Sequence, residues 1–144
     1  MAARKTLPLF GDLGVSTPPA RNLRRSRYPV WTDHKARLIQ RYLHQFVMVT
    51  RSGSYIDGSA GPQDPCRPDM WAAKLVLDVR PQLLRHFYLF EIDPQKFAQL
   101  DAMTADQERP YGRTIETFPE DCNAGIVSLL ARGVISEREP TFAL

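Results

Sequence analysis

Three acidic residues lie at or just after the ends of short apolar runs in this sequence. They are Asp57, Glu91 and Asp121. The two oxygens of a carboxylate accept strong, charge-assisted hydrogen bonds, and acids at the carboxyl ends of parallel strands commonly bind the hydroxyls and amines of nucleosides. The pattern therefore predicts a nucleoside site at one edge of an α/β sheet.

Each acid of this pattern has an expected role. Glu91, with Asp93 beside it, is suited to accept both hydrogen bonds of a ribose diol. Asp121 is suited to accept from the exocyclic amine of adenine, while the backbone N–H of Cys122 donates to a ring nitrogen. The alternative is that Asp93 and Asp121 only cap helices, each contributing about 1 kcal/mol.

A turn of small residues follows the first acid. It comprises Gly58, Ser59, Ala60 and Gly61. Side chains of this size are expected to let backbone N–H groups approach a ligand closely. Asp57 would repel a pyrophosphate, whereas S-adenosylmethionine carries a cationic amino group and a sulfonium and has no phosphate. We therefore predict S-adenosylmethionine rather than a dinucleotide as the cofactor, and no catalytic residue is assigned.

Strands and helices are expected to alternate around these residues. Helices are predicted over 33–49, 69–79, 93–103 and 121–134, and strands over 54–57, 87–92, 114–118 and 141–144. Thr32 or Asp33 is expected to cap the first helix and Asp69 the second. The alternation predicts a Rossmann-like, three-layer α/β/α fold with a mostly parallel sheet.

Apolar spacing predicts the buried faces of the first and last helices. On the first helix these residues are Leu38, Ile39, Tyr42, Leu43, Phe46 and Val47. On the last helix they are Ile126, Val127, Leu129, Leu130 and Val134.

The composition is that of one globular domain. The chain has 144 residues, of which 43% are hydrophobic, enough to form a single core. It contains no apolar run long enough for a membrane span or a signal peptide, so we expect a cytoplasmic protein that does not bind membranes. Two cysteines and three scattered histidines do not form a metal-binding pattern, so no metal site is predicted.

Positive charge is concentrated in the N-terminal third. Residues 1–51 contain ten Lys or Arg and two acids. We interpret residues 1–30 as a basic, irregular segment and residues 31–144 as the folded domain. Arg21, Arg24, Arg25 and Arg27 suggest contact with a nucleic-acid backbone. The alternative is a solvated tail, because no aromatic residues interleave this cluster as a stacking surface requires.

Several of these segments resemble the three-Cys-motif partner family. The matching segments are Thr32-Asp33-His34-Lys35, Tyr55-Ile56-Asp57-Gly58-Ser59-Ala60-Gly61-Pro62, Phe90-Glu91-Ile92-Asp93-Pro94 and Asp121-Cys122-Asn123. The resemblance covers residues 31–144. It implies a class I S-adenosylmethionine-dependent methyltransferase-like Rossmann fold, and a three-Cys-motif protein as partner.

The sequence departs from the family pattern at the turn and at its last segment. Ser59 stands where an aromatic residue is usual, and Gln63 where a glycine would extend the turn. Family members continue beyond the segment equivalent to 141–144 into further strands. The resemblance therefore implies either a truncated member or an N-terminal half-domain, without the segment that usually carries catalytic or substrate contacts. The alternative function is a non-catalytic interaction protein whose exposed sheet edge pairs with another chain, including a second copy.

Overall fold

The computed structural model describes residues 30–110 and 112–144. The basic segment 1–30 lies almost wholly outside the described residues, and so do the nucleic-acid contacts predicted for its arginines. The elements, in chain order, are α1 (Val30–Thr50), β1 (Ser54–Asp57), a short 3-10 turn (Pro68–Met70), α2 (Ala72–Leu77), β2 (His86–Phe90), α3 (Pro94–Ala105), β3 (Thr114–Phe118), α4 (Cys122–Ala131) and β4 (Thr141–Ala143). No helix within the described ranges has the length and apolar character needed to cross a membrane.

The four strands form one parallel sheet in the order β3-β2-β1-β4. Ile56 of β1 is paired with Tyr88 of β2 on one side and with Ala143 of β4 on the other. The chain adds β2 and β3 on one side of β1 and then crosses to the opposite side to form β4. The strand order therefore reverses between β1 and β4, the place where ligands bind in sheets of this kind. The predicted α/β fold with a parallel sheet, a partial Rossmann-like fold, is confirmed.

Helices cover both faces of the sheet. Side chains alternate between the two faces along each strand. On one face, α1, α2 and α3 pack over a cluster that includes Tyr55, Phe87, Leu43, Val76 and Leu100. On the other face, α4 packs over a smaller cluster that includes Ile56, Tyr88, Phe90 and Leu129. This arrangement gives the three layers expected from the sequence.

The first helix differs from the prediction at its start and in its buried face. It begins at Val30, so Thr32 and Asp33 lie in its first turn and neither residue is an N-cap. Leu38 and Tyr42 were expected in the core and are exposed. The buried stripe consists of Ala36, Ile39, Leu43 and Val47. These positions recur every three or four residues, and Leu38 and Tyr42 fall just beside that stripe.

The predicted helix over 69–79 is wrong at its first three residues, and α2 spans only Ala72–Leu77. Asp69 lies inside the 3-10 turn, where its carboxylate pairs with the Arg67 guanidinium at 3.0 Å, and it does not cap a helix. Trp71 has an extended backbone, with φ −86° and ψ 107°, and separates this turn from α2. Its indole Nε1–H donates to the carbonyl oxygen of Ala60 at 2.6 Å. A tertiary hydrogen bond thus accompanies the break in the helix.

Two other predicted boundaries are also corrected. The second strand ends at Phe90, not at residue 92, and Ile92 is exposed. The last helix ends at Ala131. On that helix Val127 and Leu130 are 66% and 59% exposed, because only one side of α4 contacts the sheet.

Of the acidic caps predicted from the sequence, Asp93 and Asp121 are confirmed. The Asp93 carboxylate accepts from the backbone N–H groups of Gln95 and Lys96 at the start of α3. The Asp121 carboxylate accepts from the Asn123 N–H at 2.8 Å at the start of α4. Both acids therefore satisfy backbone donors that a helix start leaves unpaired.

Candidate functional site

A cavity of about 420 Å³ lies where the strand order reverses. Its walls come from the ends of β1 and β4, from α1 and from the region where α2 begins. Small-molecule sites usually measure roughly 300–1,000 Å³, so the space suits a ligand of that class. Five of the predicted site residues line it, namely Asp57, Gly58, Ser59, Gly61 and Cys122.

The opposite wall is apolar and was not predicted as part of the site. It includes Ala36, Ile39, Met70 and Trp71. Lys35 of α1 also lines the cavity. One feature of the sequence pointed to α1 as part of the wall. Lys35 lies next to the buried face of this helix, which includes Ala36 and Ile39. No sequence signal connected Met70 or Trp71 to the turn after β1, since that contact depends on the path of the intervening loop.

Asp57 is a carboxylate almost wholly enclosed by protein. Its side chain lies on the sheet face that α1 covers, and the residue is 2% exposed. The Tyr55 hydroxyl donates to its Oδ2 at 3.0 Å, and the Ser59 N–H donates to its Oδ1 at 3.0 Å. Burial raises the pKa of Asp57 above its ordinary value, although these two donors and the positive charge of Lys35 act in the opposite direction. Burial, together with Asp57, also raises the pKa of Tyr55.

All four backbone N–H groups of the small-residue turn donate within the protein. Gly58 donates to the Leu144 carbonyl at 3.2 Å, and Ala60 donates to the Phe90 carbonyl at 2.8 Å. The Ser59 N–H is used by Asp57, as described above. The Gly61 N–H donates to Glu91 Oε2 at 2.9 Å. The expectation that these amides approach a ligand is therefore not met, and the turn offers no donors to a phosphate.

Glu91 fixes this turn from outside the cavity. Its carboxylate accepts from the Gly61 N–H through Oε2 and from the Asp93 N–H through Oε1, both at 2.9 Å. The residue is 7% exposed and is not among those that line the cavity. A Cβ at Gly61 would collide with Glu91 Oε2 and with Lys96 Cβ, so only glycine fits at this point. Glu91 thus joins the turn after β1 to the start of α3.

The remaining predicted site residues also lie outside the cavity. Asp93 and Asp121 are exposed helix caps, and Ala60 is buried with its carbonyl bonded to the Trp71 indole. Cys122, next to Asp121, does reach the wall, where a Cβ on Gly58 would lie 3.0 Å from its Sγ. The structure therefore separates the residues that form the cavity from those that hold its frame. In the part of the chain that is described, no His, Cys, Asp and Glu side chains cluster in a way that could hold a metal ion.

Comparisons of the chain with protein-family models, with curated proteins and with solved structures found no match. The cavity therefore has to be interpreted from its own geometry and charge. Its features are a buried carboxylate, an apolar wall, a lysine and a turn whose amides are already bonded.

We predict that Asp57→Asn removes a pH-dependent loss of stability. The raised pKa means that the folded state holds this proton more tightly than the unfolded state. Stability is then greatest below the ordinary Asp pKa, falls as the pH rises through the window up to the raised value, and stays lower above it. The charged groups that act on Asp57 are Lys35 and Glu91, and the neutral Tyr55 hydroxyl donates a hydrogen bond to it. The asparagine side chain of the variant does not titrate, so the stability of Asp57→Asn relative to wild type should increase steadily as the pH rises across this window.

Urea unfolding of both proteins measures this difference. The series runs from about pH 4, near the ordinary pKa of Asp, to about pH 8. Glu120→Gln, at an exposed acid, is the matched control and should follow the wild-type curve. A difference between Asp57→Asn and wild type that stays constant with pH would contradict the assigned burial cost.

Glu91→Gln is expected to destabilise the fold although it changes only one atom. The glutamine amide offers one oxygen, so one of the two backbone donors, at Gly61 or Asp93, would face an NH₂ group. An unsatisfied buried donor costs about 1–3 kcal/mol. Urea unfolding at pH 7 measures the change, with Glu120→Gln again as the control. A Glu91→Gln variant as stable as wild type would show that these two hydrogen bonds do not hold the turn.

Proposed function

We propose that this chain binds S-adenosylmethionine in the cavity between β1 and β4, as a methyltransferase-type domain. The observation that supports this proposal is the buried carboxylate of Asp57 in the wall of a cavity at the reversal of strand order. A carboxylate kept there at a cost in stability is typical of a site that receives a cation. S-adenosylmethionine has two cationic groups, its ammonium and its sulfonium.

The turn supports a cofactor without phosphates. Nucleotide sites usually bind phosphate with free N–H groups of a glycine-rich turn or helix start. Here the N–H groups of residues 58–61 all have partners within the protein. Asp57 adds negative charge at the same place. Both features disfavour a nucleoside diphosphate and leave a cationic nucleoside as the better fit.

Each cavity residue has a role in this proposal. Asp57 would hold the ammonium of the cofactor, and the apolar side chains of Ile39, Met70 and Trp71 would exclude water from its uncharged portion. Glu91 and Asp121 would act as positioning residues, because Glu91 fixes the turn and Asp121 starts the helix that carries Cys122. This indirect role takes the place of the contacts predicted from the sequence, in which Glu91 binds the ribose and Asp121 binds the adenine.

Methyl transfer is the chemistry that the cofactor supplies, since its sulfonium methyl is attacked in line by an acceptor. The contribution of the protein would be binding and orientation, which lower the barrier by removing translational and rotational freedom beforehand. The likeness of residues 55–62 and 90–94 to the three-Cys-motif partner family supports the same function. The three-Cys-motif protein implied by that likeness is included in the proposal as a partner.

We expect the wild-type chain to bind S-adenosylhomocysteine in isothermal titration. Asp57→Asn should weaken this binding about tenfold, because a charge-assisted hydrogen bond to the ammonium is lost. Glu120→Gln is the control and should bind as wild type does. Absence of binding by the wild-type chain, or equal affinity of Asp57→Asn and wild type, would overturn the proposed function.

Pairing of two copies through β4 is a second candidate function. Among the described residues, β4 pairs only with β1. The Leu144 N–H and the Pro140 carbonyl bond to β1, so the alternate residues Thr141 and Ala143 direct their backbone groups to the outer edge, and both are exposed. An edge of this kind is complementary to itself when a two-fold axis sets two copies antiparallel.

Light scattering after size exclusion at several concentrations tests the pairing. The wild-type chain should form a dimer whose fraction rises with concentration, while Ala143→Pro should remain monomeric because it removes an outward N–H. The hydrogen bonds between β4 and β1 are made by the alternate residues, so this variant should keep the wild-type fold, checked by circular dichroism. A wild-type chain that stays monomeric at every concentration would exclude the second candidate.

A further inference from the structure

We infer that Lys35 binds the carboxylate of the α-amino acid group of the cofactor, so that Lys35 and Asp57 together select the zwitterionic end of S-adenosylmethionine. This inference rests on the proposed function for the nucleoside part of the ligand. It adds a specificity residue that was not among the site residues predicted from the sequence.

Lys35 and Asp57 reach the same cavity from different layers of the fold. Asp57 ends β1 in the sheet, whereas Lys35 is on α1, which lies over that face of the sheet. The buried stripe of α1 fixes the rotation of the helix, because Ala36 and Ile39 must face inward. Lys35, the neighbour of Ala36, is thereby held at the border between the cavity and solvent, where its side chain is exposed.

The two residues provide the charged side chains of the cavity wall. Among the described residues that line the cavity, Lys35 is the one basic side chain and Asp57 the one acid. Their charges interact, since the positive charge of Lys35 opposes the rise in the pKa of Asp57. Asp57 is enclosed, so it suits the compact ammonium, whereas the exposed Lys35 suits a carboxylate that keeps part of its hydration.

This pairing of charges matches one part of the cofactor. An α-amino acid group carries an ammonium and a carboxylate on the same carbon, while adenine and ribose are uncharged at neutral pH. A ligand with only the ammonium would satisfy Asp57 and leave the contact to Lys35 unmade. Lys35 should therefore distinguish cofactors by their carboxylate and have little effect on the binding of the rest of the molecule.

A thermodynamic cycle with two ligands and two proteins isolates this contact. The ligands are S-adenosylmethionine and decarboxylated S-adenosylmethionine, which differ only in the carboxylate, and the proteins are wild type and Lys35→Gln. Calorimetric titration should show that Lys35→Gln weakens S-adenosylmethionine about tenfold and leaves decarboxylated S-adenosylmethionine within about twofold of wild type, the expected size of one charge-assisted hydrogen bond. Lys35→Arg should retain most of the affinity.

Arg41→Gln is the matched control, because Arg41 is an exposed cation of the same helix that does not line the cavity. It should bind both ligands as wild type does. The role of Lys35 would be overturned by a Lys35→Gln variant that binds S-adenosylmethionine as tightly as wild type, or whose affinity for both ligands falls by the same factor. Either result would leave the proposed function standing. Failure of the wild-type chain to bind either ligand would instead overturn the proposed function, and this inference with it.

Discussion

The hydrogen bonds of the turn at residues 58–61 are the constraint on which the site depends. The turn follows a buried strand, and Ala60 and Gly61 within it are buried. A buried N–H group without an acceptor would cost free energy comparable to a lost hydrogen bond, so these groups need partners within the protein. Here the acceptors come from the carboxyl ends of β2 and β4, the two strands that flank β1, and from two carboxylates, Asp57 and Glu91. The same bonds join β1, β2 and β4 at one edge of the sheet, and the cavity is the space left beside them.

Because the N–H groups of the turn are bonded within the protein, they are not available to bind a ligand at this edge of the sheet. Amides that are bonded within the protein do not bind anions, so recognition falls to side chains and their charges. Asp57 is the clearest case, because folding buries its carboxylate although burial disfavours the charged form. A bound cation would offset the free-energy cost of burying this carboxylate. The stability of the empty domain and its affinity for the cation would then be linked. Sites in which function is maintained at some cost in stability commonly show this relationship.

The two faces of the sheet are covered to different extents. α1, α2 and α3 cover one face of the sheet with a large cluster, while α4 covers the other face with a smaller one and leaves Val127 and Leu130 exposed. The outer edge of β4 is also exposed. The cavity lies under the better-packed side, where Trp71 fixes the loop to the turn through the Ala60 carbonyl.

The sequence by itself determined the alternation of elements, the parallel sheet and the helix caps Asp93 and Asp121. These follow from local signals, because apolar periodicity and an Asp before a helix act over a few residues. It also predicted that Asp57 and the turn belong to a site. Only the tertiary structure decided that Glu91 and Asp121 lie outside the cavity and that Leu38 and Tyr42 face solvent. It also decided that Lys35 and Trp71 reach the cavity. Those outcomes depend on helix rotation, on loop path and on which acceptor lies nearest each amide, and these are contacts between residues distant in sequence.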